Sequence, residues 1–203
     1  MCNFARYFEI PLKMTRPADL HKGSGVAVDN GSARWYIAEC KPTKERTIRT
    51  MLTNANYEVY VASRVEEVVY KSRNRRKKEK VVIPGKVFVR TEKNKLMDIL
   101  LGYTSVYRFM INRSTEARSY AFVPDHQMQQ LQYMLGHAEN PVLLTADHLQ
   151  LDQKVKVMRG ALAGLEGWYF KQGNTTNIVI KMEMGSNHFI YTEVPIDDIQ
   201  PVE

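Results

Sequence analysis

The densest concentration of charge in the chain lies in the segment KSRNRRKKEK, Lys71–Lys80. Seven of its ten residues are basic and one is acidic, so it carries +6 of a formal net charge of +7. Cations crowded in this way suit phosphate, because each contact releases counterions from a nucleic-acid backbone. No aromatic residue lies between them, so base stacking is not predicted. The basic residues are Lys71, Arg73, Arg75, Arg76, Lys77, Lys78 and Lys80.

Other reactive side chains form no recognisable catalytic or metal-binding pattern. The two cysteines, Cys2 and Cys40, make no C-x-x-C pair, and the five histidines are not spaced as metal ligands. Nucleophile elbows, phosphate-binding loops and paired carboxylates are also missing from the sequence. We therefore predict a protein that acts by binding, with no catalysis, no cofactor, no structural zinc and no disulfide framework.

Length and composition indicate an ordinary globular chain. Its 203 residues, 44% hydrophobic and 25% charged, suit one domain or two small ones. No apolar run approaches the roughly 18 residues of a membrane helix, and the N-terminus has no apolar signal region. We expect a cytoplasmic protein without a membrane partner. Residues 1–33, which end in HKGSGVAVDNGSA, are expected to form a flexible N-terminal extension.

Hydrophobic periodicity predicts the elements that would position the basic segment. The alternation in RWYIAEC predicts a strand, and the spacing of Ile48, Met51, Leu52 and Ala55 predicts a helix face. A later helix begins near Asp125, which we expect to be its N-cap. The predicted strands are Arg34–Cys40, Tyr57–Ser63, Val81–Arg90 and Ser105–Met110, and the predicted helices are Thr43–Asn54, the segment KNKLMDILLG and Asp125–Leu135. This order is typical of an α+β layer sandwich.

Glycine and proline predict local bends in two places. Pro84 cannot donate to a strand ladder and Gly85 permits unusual φ, so VVIPGKVFVR should be bent or bulged there. In RGALAGLEGWYF, glycines 160, 164 and 167 suit tight bends and a close backbone approach. Beyond a linker, the short alternating runs KVKVM, WYF, NIVIKMEM and HFIYTEV predict a small β-barrel. From Asp152 onward the chain has five basic and seven acidic residues, a poor basis for phosphate binding.

The segment DQKVKVMRGALAGLEGWYF resembles the KOW motif, in which a strand leads through a glycine-bearing turn to the next strand. Together with RWYIAECKPTKERTIRTML and VVIPGKVFVR, in this order and spacing, it resembles the NusG family of transcription elongation factors. It is most similar to the specialised antiterminators encoded with bacterial capsular-polysaccharide operons. The resemblance extends from about Arg34 to Glu203.

The resemblance implies an α+β fold in two domains. Residues 34–136 would form an NGN domain, an antiparallel four-stranded sheet flanked by helices. Residues 137–150 would be a linker, and residues 151–203 a small all-β SH3-like KOW barrel. Because NIVIKMEM and HFIYTEV are rich in β-branched and aromatic residues, we expect that barrel to be stable.

The resemblance also implies a function. The NGN domain would bind the clamp helices of RNA polymerase and favour a pause-resistant elongating enzyme, acting as a monomer in antitermination. The KOW domain would recruit Rho or a ribosomal protein. A KOW-type RNA-binding or ribosome-associated protein and a general housekeeping NusG are the alternatives. The N-terminal extension and Lys86, which replaces the family's usual tyrosine, favour an operon-specific factor.

Two sets of site residues follow from the resemblance. The first set lies around the Pro-Gly bend and would contact the polymerase. Alternatively, the bend is a simple bulge, and the two phenylalanines are core residues. DNA would lie near a second set, whose members can equally be ordinary exposed cations or a solvated hairpin loop. The first set is Ile83, Pro84, Gly85, Lys86, Phe88 and Phe109. The second set is Lys41 and Arg49 near the non-template strand, and Arg73, Arg75, Arg76, Lys77 and Lys78 near upstream DNA.

Overall fold

The computed structural model describes residues 32–69, 75–112, 119–145, 149, 151, 153–184 and 187–202. The predicted N-terminal extension, residues 1–33, lies outside the described residues except for its last two, and so does Arg73. The mixed α/β prediction is confirmed: the described part contains three α-helices and several antiparallel sheets.

The first sheet is antiparallel, with strand order β2-β5-β1-β6 and with β7 also paired to β1. Helix α1 begins two residues later than predicted, at Glu45. The elements of this part are β1 Arg34–Cys40, α1 Glu45–Asn54, β2 Glu58–Tyr60, β3 Ser63–Val69, β4 Arg75–Val81, β5 Lys86–Thr91, α2 Leu96–Gly102, β6 Val106–Phe109, β7 Phe122–Val123 and α3 Asp125–His137.

Both faces of the first sheet are buried, each in its own apolar cluster. Alternation along β1 sends Ile37 to one face, where it lies opposite Phe88 and packs with Leu131 of α3. The other face carries Val87, which belongs to a cluster with Ile48 of α1. Because β1 and β5 are buried on both faces, their centres contain few charged residues.

The described part of the basic segment, Arg75–Lys80, lies in β4, which pairs antiparallel with β3 in a separate two-stranded sheet. Neither strand was predicted as such: the strand expected at Tyr57–Ser63 instead divides into β2 and the start of β3. The sequence RRKKEK shows no hydrophobic alternation because all but one of the side chains in Arg75–Lys80 are exposed. The periodic signal of a half-buried strand is therefore absent.

The Pro84-Gly85 dipeptide turns the chain from β4 into β5, in agreement with the predicted bend. Gly85 has φ +72°, and a Cβ there would lie 3.2 Å from the carbonyl oxygen of Cys40. Its N–H donates to Glu45 Oε1 at 2.7 Å, and its carbonyl accepts from the N–H of Cys40 at 2.9 Å. The turn is thereby tied to the first turn of α1.

The prediction that Asp125 caps α3 is wrong. Pro124 occupies the N-cap position in an extended conformation, φ −58° and ψ 146°, and Asp125 is already in the first helical turn. Its carboxylate pairs with Arg90 Nη2 at 3.4 Å. An acid in this turn still interacts favourably with the positive end of the helix dipole.

The C-terminal sheet has six antiparallel strands in the order β13-β9-β10-β11-β12-β8. One of them, β8, lies in the segment interpreted as a linker and pairs with β12. The strands are β8 Leu143–Thr145, β9 Lys154–Val157, β10 Glu166–Gln172, β11 Thr175–Glu183, β12 Asn187–Glu193 and β13 Ile199–Pro201.

Helix α3 also contacts the C-terminal sheet. Gln130 Nε2 donates to the carbonyl of Glu166 at 3.1 Å, and the Tyr133 hydroxyl donates to the carbonyl of Ala163 at 2.9 Å. The apolar cluster that contains Leu131 continues into buried residues of the C-terminal sheet such as Leu165. The two sheets thus share one apolar cluster around this helix.

The glycines of RGALAGLEG have the geometry that a turn needs. Gly160 and Gly164, between β9 and β10, have φ values of +82° and +92°. Gly167 lies in β10, where a Cβ would be 2.6 Å from the carbonyl oxygen of Val179 and 2.9 Å from Ile178 Cγ1. At Gly167 the neighbouring strand itself excludes a side chain.

We predict that Gly167→Ala lowers the free energy of unfolding by about 1–3 kcal/mol, because backbone must shift to admit the methyl group. Gly102→Ala is the control, since nothing lies within 4 Å of its added Cβ. Chemical denaturation of both variants measures the difference. Equal unfolding midpoints for Gly167→Ala and the unsubstituted protein would contradict the packing described here.

Candidate nucleic-acid and protein interface

Strand β4 presents a row of exposed cations. Arg75, Arg76, Lys77 and Lys78 are all exposed. Only Arg75 has an ion pair within the described part of the chain, a loose one at 3.7 Å to Glu67. The other three have no ion-pair partner among the residues described. They are therefore available to an anionic partner.

One acidic residue interrupts this row and faces inward. Glu79 binds Arg46 Nε at 3.1 Å and Arg49 Nη1 at 3.0 Å, both from α1. Its carboxylate also accepts from the Ser63 hydroxyl, and its carbonyl accepts from Arg46. We call these four residues, Glu79, Arg46, Arg49 and Ser63, the Glu79 clamp. The clamp fastens the base of the hairpin to α1.

The pKa of Glu79 lies below its ordinary value. Burial alone raises it, but the hydrogen bonds from Ser63 and Arg49 and the positive charges of Arg49 and Arg46 outweigh burial and lower the pKa. The carboxylate is consequently ionised at neutral pH, and the clamp is a charged network.

A second set of contacts holds the opposite side of the hairpin. Arg64 of β3 donates to the carbonyl of Ala138 at 3.1 Å and to the carbonyl of Asn140, both just beyond α3. Asn140 Nδ2 in turn donates to the carbonyl of Glu193 in β12 at 3.1 Å. The base of the hairpin is therefore held between α1 and the chain that leads into the C-terminal sheet.

The two cations predicted near the non-template strand have different surroundings. Lys41 is exposed directly after β1, whereas Arg49 belongs to the Glu79 clamp. Cys40, the residue before Lys41, is buried. Burial and the negative charge of Glu45 raise its pKa to about 11, against the opposing effect of Lys86. The thiol is therefore protonated and unreactive at neutral pH.

The six residues predicted to contact polymerase are not gathered on one surface. Ile83 and Phe88 are fully buried in the cluster around α3, and Phe109 is buried in the cluster on the other side of the sheet. Pro84 is exposed. Lys86 is mostly covered and pairs with Glu39 at 3.5 Å. Pro84 is thus the one exposed member of the set.

Glu39 and Glu79 are the interface residues that sequence reasoning missed. Glu39 bridges two cations, Lys86 and Arg108. Burial raises the pKa of Glu39, but the hydrogen bond from Arg108 and the charges of Lys86 and Arg108 outweigh burial. The pKa of Glu39 therefore lies below its ordinary value. In the sequence the only signal for Glu79 was its place as the single acid within the basic run.

The described part of the chain contains no group of three or more His, Cys, Asp or Glu side chains placed to hold a metal ion. Within the same residues, no helix has the length and apolarity needed to cross a membrane.

We predict that Glu79→Gln destabilises the protein in a pH-dependent way. A carboxylate with a lowered pKa stabilises the fold above its ordinary pKa of about 4.3, and this contribution disappears as pH falls through the folded-state value. The difference in unfolding free energy between the unsubstituted protein and Glu79→Gln should therefore be present at pH 7 and shrink below pH about 4. Denaturant titrations across this range measure it, and a difference that persists undiminished at pH about 3 would contradict the ionic clamp.

Residues 33–132 match the family model described as NusG, transcription termination factor nusG. No curated protein matches the chain. The solved structure of domain interaction in Thermotoga maritima NusG is similar at 14% identity and a TM-score of 0.41, over 84% of this chain and 98% of that one.

The crystal structure of the MjSpt4:Spt5 complex, conformation A, is similar at 12% identity and a TM-score of 0.27, over 83% of this chain and 98% of that one. Structural likenesses of this size define neither the fold nor the function of the present chain. The family model matches the part of the chain that carries β1, the Glu79 clamp and most of α3. Residues 33–132, just under half of the chain, are therefore similar to the NusG family.

Proposed function

We propose that this protein is a transcription elongation factor that binds elongating RNA polymerase and suppresses pausing or termination. The observation that carries the proposal is the match of residues 33–132 to the NusG family model. This segment includes both the Pro84-Gly85 turn and the basic strand β4.

The polymerase contact is assigned to the Pro-Gly turn and its surroundings. Pro84 projects from the surface, and Lys86 lies beside it with Glu39 and Arg108. Ile83, Phe88 and Phe109 are buried in the two apolar clusters that flank the first sheet. Direct contact through these three side chains would require them to leave the core. The turn and its charged neighbours are therefore the surface that we propose for docking.

The nucleic-acid contact is assigned to strand β4. Exposed cations without ion-pair partners among the described residues attract phosphate with little competition from the protein itself. A protein that moves along DNA with a transcribing enzyme needs no base specificity in its DNA contact. Strand β4 also has no aromatic side chain on which a base could stack. The contact should consequently be sequence-independent and sensitive to salt.

Operon specificity is a narrower part of the proposal. Lys86 and the residues before Ser32 favour a factor dedicated to a polysaccharide operon over a general one. The C-terminal sheet, proposed as a KOW barrel, would recruit a further protein such as Rho or a ribosomal protein. Its small acidic excess argues against a main role in binding RNA.

An elongation assay with purified RNA polymerase tests the main proposal. We expect the protein to co-elute with stalled elongation complexes and to shorten pauses on a long template. A double substitution, Pro84→Ala with Lys86→Ala, should reduce both effects because it alters the exposed turn and removes its charge. Unchanged pausing together with no co-elution of the unsubstituted protein would refute the proposal.

We predict that replacing Arg76, Lys77 and Lys78 by glutamine weakens binding to duplex DNA and flattens its salt dependence. Loss of three phosphate contacts should reduce the slope of log K against log salt by about 2–3. The control replaces Lys93, Lys171 and Lys181, which are exposed elsewhere, and makes the same change in net charge. Titrations of a labelled duplex at several salt concentrations measure both. Equal losses in the two triple variants would show that net charge, and not strand β4, governs binding.

A further inference from the structure

We propose that Glu79 is a positioning residue, which holds strand β4 at a fixed angle to α1 so that its exposed cations, Arg76 and Lys78 on one face and Lys77 on the other, meet nucleic-acid phosphates in a fixed arrangement. The proposal rests on the nucleic-acid contact assigned above and names the side chain that makes this contact effective. It also gives Arg49 a role other than reading DNA.

The hairpin has few other means of holding a direction. Strands β3 and β4 form their own sheet, with no ladder to either larger sheet among the described strands. An isolated two-stranded ribbon is marginal in water. The N–H of Val82 donates to the carbonyl of Ala62 at 2.7 Å and closes the base of the ribbon. This backbone bond does not fix the direction of the ribbon relative to the rest of the protein. The direction must therefore come from side chains at the base, which are Arg64 of β3, Val81 of β4, packed against the apolar cluster that contains Ile48, and Glu79.

Glu79 is the charged side chain on β4 that pairs with α1. Between Arg75 and Lys80 it is the one residue that is not exposed. Its cross-strand neighbour Val65 is 62% exposed, so no apolar contact replaces the clamp at this level of the hairpin. A carboxylate held by two guanidinium groups and a hydroxyl has a defined orientation, because each partner takes a separate lone-pair direction.

The clamp also removes Arg46 and Arg49 from competition for phosphate. Their two charges face the carboxylate of Glu79, and Arg49 reaches both of its oxygens, at 3.0 and 3.4 Å. A nucleic acid would have to displace Glu79 to bind them. The cations that remain available to bind phosphate are Arg76, Lys77 and Lys78 of β4. The clamp sets their distance from α1.

Positioning and simple charge predict opposite results for the loss of Glu79. If only net charge matters, removal of an acid from a basic strand strengthens phosphate binding. If the clamp positions the strand, removal weakens binding, because the cations no longer reach several phosphates at once. Glu67 provides a matched comparison, since it lies opposite Lys77 in the same hairpin, and its one ion pair among the described residues is a loose, exposed one with Arg75.

The test compares Glu79→Gln, Glu79→Asp and Glu67→Gln in the full chain, by fluorescence anisotropy with a duplex DNA probe at several salt concentrations. We expect Glu79→Gln to bind about threefold to tenfold more weakly, with a salt slope smaller by about 1. Glu67→Gln should bind at least as tightly as the unsubstituted protein, and Glu79→Asp should recover part of the loss. Tighter binding by Glu79→Gln, or no recovery by Glu79→Asp, would overturn the proposal.

A distance measurement separates this proposal from the proposed function. Spin labels at Lys78→Cys and Thr53→Cys, which are both exposed positions, report the distance between the hairpin and α1. Of the native cysteines, Cys2 is replaced by serine, and Cys40 is buried. Glu79→Gln should broaden the distance distribution, and Glu67→Gln should leave it narrow. If the unsubstituted protein binds no DNA, the nucleic-acid contact fails while this measurement still decides the clamp. Equal distributions in both variants would overturn the clamp.

Discussion

The packing of α3 against the first sheet is the interaction on which the rest of the structure depends. Burial of Ile37, Phe88 and Leu131 in one cluster removes apolar surface from water, the dominant favourable term in folding. The same helix bonds to the C-terminal sheet through Gln130, so its position determines where that sheet lies. The residues just beyond α3 supply the carbonyl groups that bind Arg64 of the hairpin. Apolar packing in the core therefore sets the place of the charged surface.

The distribution of charge follows from the cost of burying it. The cations of β4 cannot enter either apolar cluster without partners, so they stay exposed. The base of the hairpin contacts the body of the protein through Glu79, Arg64 and Val81, which packs against the cluster that contains Ile48. Exposed ion pairs contribute little singly, about 0–1 kcal/mol, and the network around Glu79 matters more for geometry than for stability. A base held by side-chain contacts and the exposed cations of β4 suit a surface that must meet a partner in one orientation.

The sequence predicted the elements whose burial is periodic. Strand β1 and helix α1 carry clear period-two and period-3.6 patterns, and the break at Pro84-Gly85 follows from proline chemistry and glycine freedom. The hairpin escaped prediction because exposed strands show no alternation. The sequence also could not show on which face of the sheet Phe88 and Phe109 lie, since spacing along separate strands does not reveal the register between them. Likewise, the role of Glu79 depends on arginines about thirty residues away in the chain.

The central claim is that the Pro-Gly turn faces RNA polymerase while strand β4 faces DNA. Site-specific crosslinking within a stalled elongation complex tests it most directly, with a photoreactive residue at Pro84, at Lys77 or, as a reference, at the exposed Gly173. The account predicts that position 84 crosslinks to polymerase and position 77 to DNA, and that position 173 crosslinks to neither of these surfaces. Crosslinks from position 173 alone, with none from positions 84 and 77, would contradict it.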